Sequence, residues 1–149
     1  MAKLILVPLD QTGDAEAVLP LVADAARGGG AEVRLLHVAP IPDNVLNADG
    51  HVVAYADQEM ARLEAEGLDY LRAQEVHLIG VPTECAVRFG DPVKEILLEA
   101  EAFGADLITL TTGHRRGLSQ LILGGTAQQL CRRSELPVVI LRPRTDGHS

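Results

Sequence analysis

A chain of 149 residues with a formal net charge of −8 has the size of one compact domain, and its acidity repels the phosphate backbone of nucleic acids. Hydrophobic residues make up 47% of it and aromatic ones only 3%, so aliphatic side chains for a buried parallel sheet are abundant while stacking platforms for bases are scarce. Cys85 and Cys131 are too few for a disulfide scaffold and are expected as reduced thiols in the core of a cytoplasmic protein.

The first predicted element is a strand, Lys3 to Leu9, too short and wrongly flanked for a signal peptide. No apolar run approaches the ~20 residues that span a bilayer, so no membrane insertion is expected. Gly13 to Arg27 follows with helical spacing, placing Val18, Leu21, Val22 and Ala25 on one face. Pro20 predicts a kink or a late first turn, and Gly28-Gly29-Gly30 a stop. Val33 to Val38 is a second strand. Ala39 to Val53 carries Pro40, Pro42, Asp43, Asn44, Asn47, Asp49 and Gly50 and is expected as an irregular surface excursion.

A helix over Ala54 to Ala73 presents Met60, Leu63, Gly67 and Leu71 along one stripe. Cys85 to Phe89 is the third strand. Asp91-Pro92 then combines an N-cap aspartate with proline at the first helical position, and Val93, Ile96, Leu97 and Ala100 form the buried face. Asp106 to Thr111 is the fourth strand. Gly124 to Arg133 is a helix with Leu123, Ala127, Leu130 and Cys131 inward, and Pro137 to Leu141 is a fifth strand. One domain over residues 1–142 is expected, followed by a polar tail, 143–149.

Strands and helices alternating over such short connections require parallel pairing and right-handed crossovers. The expected fold is α/β: a three-layer sandwich with a five-stranded parallel sheet flanked by about four helices. Ligands in such folds bind beyond the strand carboxyl ends, here the loops after Leu9, Val38 and Thr111. The last of these carries Gly113, His114, Arg115, Arg116 and Gly117 and leads to a helix opening at Gly124-Gly125, where unpaired N–H groups and the helix dipole suit an anion. The alternative is a plain connection with solvated arginines and glycines needed only for turns.

Ile5-Leu-Val-Pro-Leu-Asp10, Leu35-Leu-His-Val38, Gly90-Asp-Pro, Ala105-Asp-Leu-Ile108, Gly117-Leu-Ser119, Leu123-Gly124 and Leu136-Pro-Val-Val139, in this order, resemble the universal stress protein family. The resemblance implies a stress-responsive homodimer that binds ATP or another adenine nucleotide, with Mg2+ accompanying the nucleotide, and that has no defined catalysed reaction. It implies that Asp10, just after Pro8, lies near the base and ribose, and that the Val38 backbone reads adenine. Asp10 as a helix cap and Val38 as core are the structural alternatives.

The family's phosphate motif is Gly-x2-Gly-x9-Gly-[Ser/Thr]. Its first two glycines align with Thr111 and His114, the third with Gly124, and the hydroxyl position with Gly125. A β-branched Thr111 and an imidazole at His114 narrow the approach of phosphate to backbone. Gly113, one residue off register, restores freedom; Thr126 supplies a hydroxyl beside Gly125; Arg115 adds a cationic donor.

His37, His51, His77, His114 and His148 are scattered without metal-ligand spacing, and His37 is expected as a satisfied core-edge residue. No nucleophile elbow and no Walker-type lysine occurs, so no catalytic residues are assigned. Three functions remain open: a nucleotide-binding dimer, a dimeric protein-interaction module that has lost nucleotide binding, and a slow nucleotide hydrolase using Asp10 and the loop arginines Arg115 and Arg116. The dimer is expected through the Pro137–Leu141 edge strand, with a regulatory protein or a transporter as further partner.

Overall fold

The computed structural model describes residues 3–10, 19–43, 45–111 and 126–141. Its strands are β1 (Leu4–Pro8), β2 (Glu32–Ala39), the short β3 (Val45–Leu46) and β4 (Val52–Ala54), β5 (Thr83–Phe89), β6 (Leu107–Thr111) and β7 (Val138–Leu141). Its helices are α1 (Leu19–Gly29), α2 (Ala56–Gln74), which runs on into a 3-10 turn over Glu75–Leu78, α3 (Pro92–Phe103) and α4 (Gln128–Arg133). Five strands form one sheet in the order β5-β2-β1-β6-β7, every pairing parallel. The expected α/β sandwich is the fold observed.

β1 is central, and its side chains alternate between two cores. Ile5, Val7 and Leu9 join Val33 and Leu35 under α1 and α2, packed with Leu19, Val22, Ala26, Leu71 and Leu78. Leu6 joins Leu36, Ile108 and Leu110 on the opposite face, under Val93, Ile96 and Ala100 of α3 and Leu130 of α4. The period of two along each strand is what divides them. The start of β1 is clamped by Asp106, whose carboxylate accepts from Lys3 N at 3.0 Å and Leu4 N at 3.2 Å.

The cap predicted at Asp91 is present: its Oδ2 accepts from Lys94 N at 2.9 Å, and Pro92 opens α3. Four expectations need correction. The buried stripe of α1 is Leu19, Val22, Ala23 and Ala26, while Leu21 is 60% exposed and Ala25 faces solvent. Two stripes of similar apolar content run along this helix, and the sheet selects the one its exit angle faces. Cys131 is exposed rather than core, because Leu130 takes the buried position of α4. Cys85 is only half-buried. The excursion after Ala39 contains an antiparallel hairpin, β3 with β4. Its turn is built by Asn47, whose side-chain oxygen accepts from Asp49 N and His51 N at 2.9 Å each, with Gly50 at φ 81°. The helix expected over residues 13–18 and the tail 143–149 lie outside the described residues.

One ion-pair chain stitches β2 and β5 to α3. The Arg34 guanidinium bonds Glu84 and reaches Glu99 Oε2 at 2.6 Å; Arg88 reaches Glu99 Oε1 at 2.8 Å and Glu95 Oε1 at 2.8 Å. Phe103 stacks on Arg34, with its ring centroid 4.3 Å from Cζ. Glu99 is buried, and burial alone would raise its carboxyl. The hydrogen bonds from Arg88 and Arg34 outweigh that and hold it below the usual carboxylate range. Because the folded state depresses this group, its contribution is present above the ordinary value of 4.5 and is lost as pH falls through the folded value. We expect Glu99→Gln, which strips a buried pair of its charge, to cost about 3 kcal/mol at neutral pH and to flatten the acid limb of stability below the ordinary carboxylate range, both read by urea unfolding across pH.

Two glycines predict opposite outcomes. A Cβ at Gly67 of α2 would stand 2.9 Å from Val87 Cγ2 and 3.2 Å from His37 Cδ2, whereas one at Gly28 of α1 would meet nothing within 4 Å. Val87 is stiff at χ1 and cannot swing aside cheaply. Gly67→Ala should therefore destabilise by about 1–2 kcal/mol despite its gain in helix propensity. Gly28→Ala should stabilise by up to about 1 kcal/mol. Thermal unfolding of the two variants side by side checks the sign of each.

Candidate functional site

β1 is followed by β2 on one side in the sheet order, while β6 flanks it on the other. The α1 crossover covers one face and the α3 crossover the opposite one, so the connections part company between β1 and β6. A crevice beyond the carboxyl ends of these strands is where an open parallel sheet holds its ligands.

Backbone bonds fix the walls of that crevice. Leu9 N donates to Leu36 O at 2.8 Å, carrying the β1–β2 ladder one residue past the strand. His37 Nδ1 lies 3.2 Å from Leu9 O, a geometry in which the ring nitrogen donates to the carbonyl. Asp10 follows directly and is exposed. The alternation along β2 is set by three bonds: Val33 N to Pro82 O and Gly90 N to Ala39 O face β5, while Leu36 O faces β1. Val38 belongs to the same set as Leu36. Its N–H and C=O therefore turn toward the space beyond the end of β1, while its side chain packs into the core under α3.

Pro8 ends β1 opposite Leu36, and Thr111 ends β6 opposite Leu141. Pro8, Asp10, Val38 and Thr111 thus gather at the carboxyl ends of three adjacent strands. Thr126 is half-buried where the chain enters its last helical segment. Gly113, His114, Arg115, Gly117, Gly124 and Gly125 lie outside the described residues. His37, expected only as a core-edge residue, also borders the candidate site. It is bonded as expected, but its partner is the carbonyl that precedes Asp10, which only the register of β2 against β1 reveals.

A polar recess of about 450 Å3 lies elsewhere, lined by Arg34, Arg72, Glu75, Thr83, Glu84, Cys85 and Ala86 toward the amino end of β5. Cys85 donates to Glu75 Oε2 at 3.1 Å, and burial together with that carboxylate pushes its thiol up to about 12. A thiol so protonated is a poor nucleophile. Among the described residues no three His, Cys, Asp or Glu side chains are grouped to hold a metal ion, and no helix is long and apolar enough to cross a membrane. The recess lies away from the switch point, and the candidate site is the one at the strand ends.

Known proteins bear on this geometry. Residues 1–142 match the model of the universal stress protein family. The chain is similar to a universal stress protein of Thermus aquaticus, 28% identical over 144 residues, covering 95% of this chain and all of that one. It is also similar to one of Bacillus subtilis, 27% identical over 148 residues with 95% and 100% coverage. Among solved structures, a Methanocaldococcus jannaschii protein superposes with a TM-score of 0.76 at 24% identity, covering 96% and 97% of the two chains. A universal stress protein in complex with cAMP superposes at 0.63 with 17% identity, covering 96% and 99%. One from Archaeoglobus fulgidus in complex with dAMP superposes at 0.54 with 16% identity, covering 94% and 97%. At these identities the superpositions speak for the fold, and the family match extends over nearly the whole sequence. The chain belongs to the universal stress protein family.

Proposed function

We propose that this protein is a stress-responsive regulatory homodimer that binds an adenine nucleotide across the carboxyl ends of β1, β2 and β6. The observation that carries the proposal is the convergence of Asp10, the Val38 backbone and Thr111 at the switch point. In this reading the Asp10 carboxylate accepts from the ribose hydroxyls or the adenine amino group. Val38 offers one N–H donor and one C=O acceptor to the edge of adenine. The phosphates point toward the sequence segment that carries Arg115 and Gly124-Gly125-Thr126. Mg2+ enters with the phosphates.

Two solved neighbours are in complex with cAMP and dAMP, each carrying a single phosphate. Thr111 and His114 align with positions where close passage of a phosphate chain calls for glycine, which favours a monophosphate over ATP in this chain. The same substitutions favour the second reading, a dimeric interaction module without nucleotide. In the nucleotide-binding reading the protein regulates rather than turns over substrate in the cytoplasm, through a regulatory protein or a transporter.

The dimer is proposed on β7, which occupies one edge of the sheet with Val139 40% and Ile140 39% exposed. Ile108 N donates to Pro137 O, so odd residues of β7 face β6 and the Ile140 N–H points outward. Ile140→Pro removes that outward donor without touching the ladder to β6. We expect it to shift sedimentation from dimer to monomer. A wild-type monomer at micromolar concentration would contradict the dimer.

Nucleotide binding is checked by mass spectrometry of small molecules released on denaturation, followed by calorimetry with AMP, cAMP, ADP and ATP. We expect a monophosphate to bind more tightly than ATP. Asp10→Ala should weaken it by about tenfold, the loss of one charge-assisted hydrogen bond. Absence of any adenine nucleotide, bound or titrated to millimolar concentration, would leave the interaction module as the function.

A further inference from the structure

The sheet has a second edge, and its chemistry is different. Among the described residues β5 pairs with β2 alone. Because Pro82 O accepts from Val33 N, and Gly90 N donates to Ala39 O, the even residues of β5 carry the backbone groups that face β2. The odd residues Thr83, Cys85, Val87 and Phe89 therefore direct their N–H and C=O groups outward along a seven-residue edge. The polar recess runs beside the Thr83–Ala86 part of that edge.

Native edges are normally blunted by charge. Here the charges are Glu84 and Arg88, of opposite sign and placed symmetrically about Ala86. An antiparallel copy of the strand, related by a two-fold axis at Ala86, brings Glu84 opposite the partner's Arg88 and Arg88 opposite the partner's Glu84. The same register sets Cys85 opposite Val87 and Thr83 opposite Phe89, so every outward backbone group meets an outward group of the other copy. Ala86 meets only itself, the smallest side chain of the set. Registers centred on Cys85 or Val87 keep the hydrogen-bond parity but shorten the overlap and lose both charge pairs. The charges are also held in place: Arg88 by Glu95 and Glu99, each at 2.8 Å, and Glu84 by Arg34. Ordering them on pairing costs little side-chain entropy.

We propose that the β5 edge is a second self-association surface, whose occupant is β5 of another copy of this chain, paired antiparallel about Ala86 through reciprocal Glu84–Arg88 contacts. This goes beyond the β7 dimer. Two separate two-fold contacts on opposite edges of one sheet do not close on each other and build an open row of molecules. The β5 contact is thereby a concentration-dependent extension of the dimer rather than a substitute for it.

The test uses the full chain carrying Cys131→Ser and Ala86→Cys, oxidised mildly with glutathione under native conditions. Position 86 faces its own copy across a non-hydrogen-bonded pair with Cα atoms ~4.5 Å apart, within disulfide reach. The protonated Cys85 thiol competes poorly, and the β7 edge contains no cysteine. A covalent dimer linked through position 86 is expected. Its yield should fall about tenfold when Glu84→Arg makes both cross-strand pairs repulsive. Should Ala86→Cys fail to fold, sedimentation in the Ile140→Pro background asks the same question. Residual association there should be lost with Glu84→Arg. No linked dimer from the folded variant, a yield indifferent to Glu84→Arg, or capture of an unrelated extended peptide without self-linkage would overturn the proposal.

Discussion

The structure depends on the burial of β1 on both faces. Leu4–Pro8 is apolar at every position, and it lies between two parallel neighbours with no edge of its own. Such a strand is stable only if helices cover it from above and below. Right-handed crossovers then put α1 and α2 on one side and α3 and α4 on the other. The switch point between β1 and β6 is a consequence of that division, since it lies where the two sets of connections diverge. The proposed function is thereby tied to packing, since what holds the centre of the sheet together also sets where its strand ends are exposed.

The two faces solve the burial problem differently. Under α1 and α2 the sheet is aliphatic, and close approach is achieved by removing a side chain at Gly67. Under α3 the outer part of the sheet carries the chain Glu84–Arg34–Glu99–Arg88–Glu95. Ion pairs of this kind add little net stability over apolar packing, but breaking one is costly, so they set the register of α3 across β2 and β5. Both devices converge near the site. His37 contacts the Gly67 notch and holds the Leu9 carbonyl, while Arg88 lies opposite Val38 in the β2–β5 register.

Where the local physics was unambiguous, the elements were legible in the sequence. Asp91-Pro92 announces α3 because a cap and a fixed φ act on one spot, and the run Leu107–Leu110 has no choice but a buried strand. The stripe of α1 was misassigned because Leu21 and Leu19 are chemically alike and only the sheet distinguishes them. The hairpin was missed because its strands have two and three residues, too short for a period, and its order comes from Asn47 side-chain bonds. Cys131 was placed inside because cysteine is usually buried, while its neighbour Leu130 took the site. Pro8, Asp10, Val38 and Thr111 were legible as strand ends. The role of His37 was not, since its acceptor is 28 residues away in sequence.

Ligand recognition is proposed at the carboxyl ends of β1, β2 and β6 rather than in the polar recess at β5. Mapping backbone amide NMR shifts while AMP is titrated into the protein tests it most directly. The account predicts that saturable shifts concentrate at Asp10, Val38, Thr111 and Thr126, with Thr83–Ala86 unmoved. Shifts concentrated at Arg72, Glu75 and Thr83–Ala86 instead would contradict it.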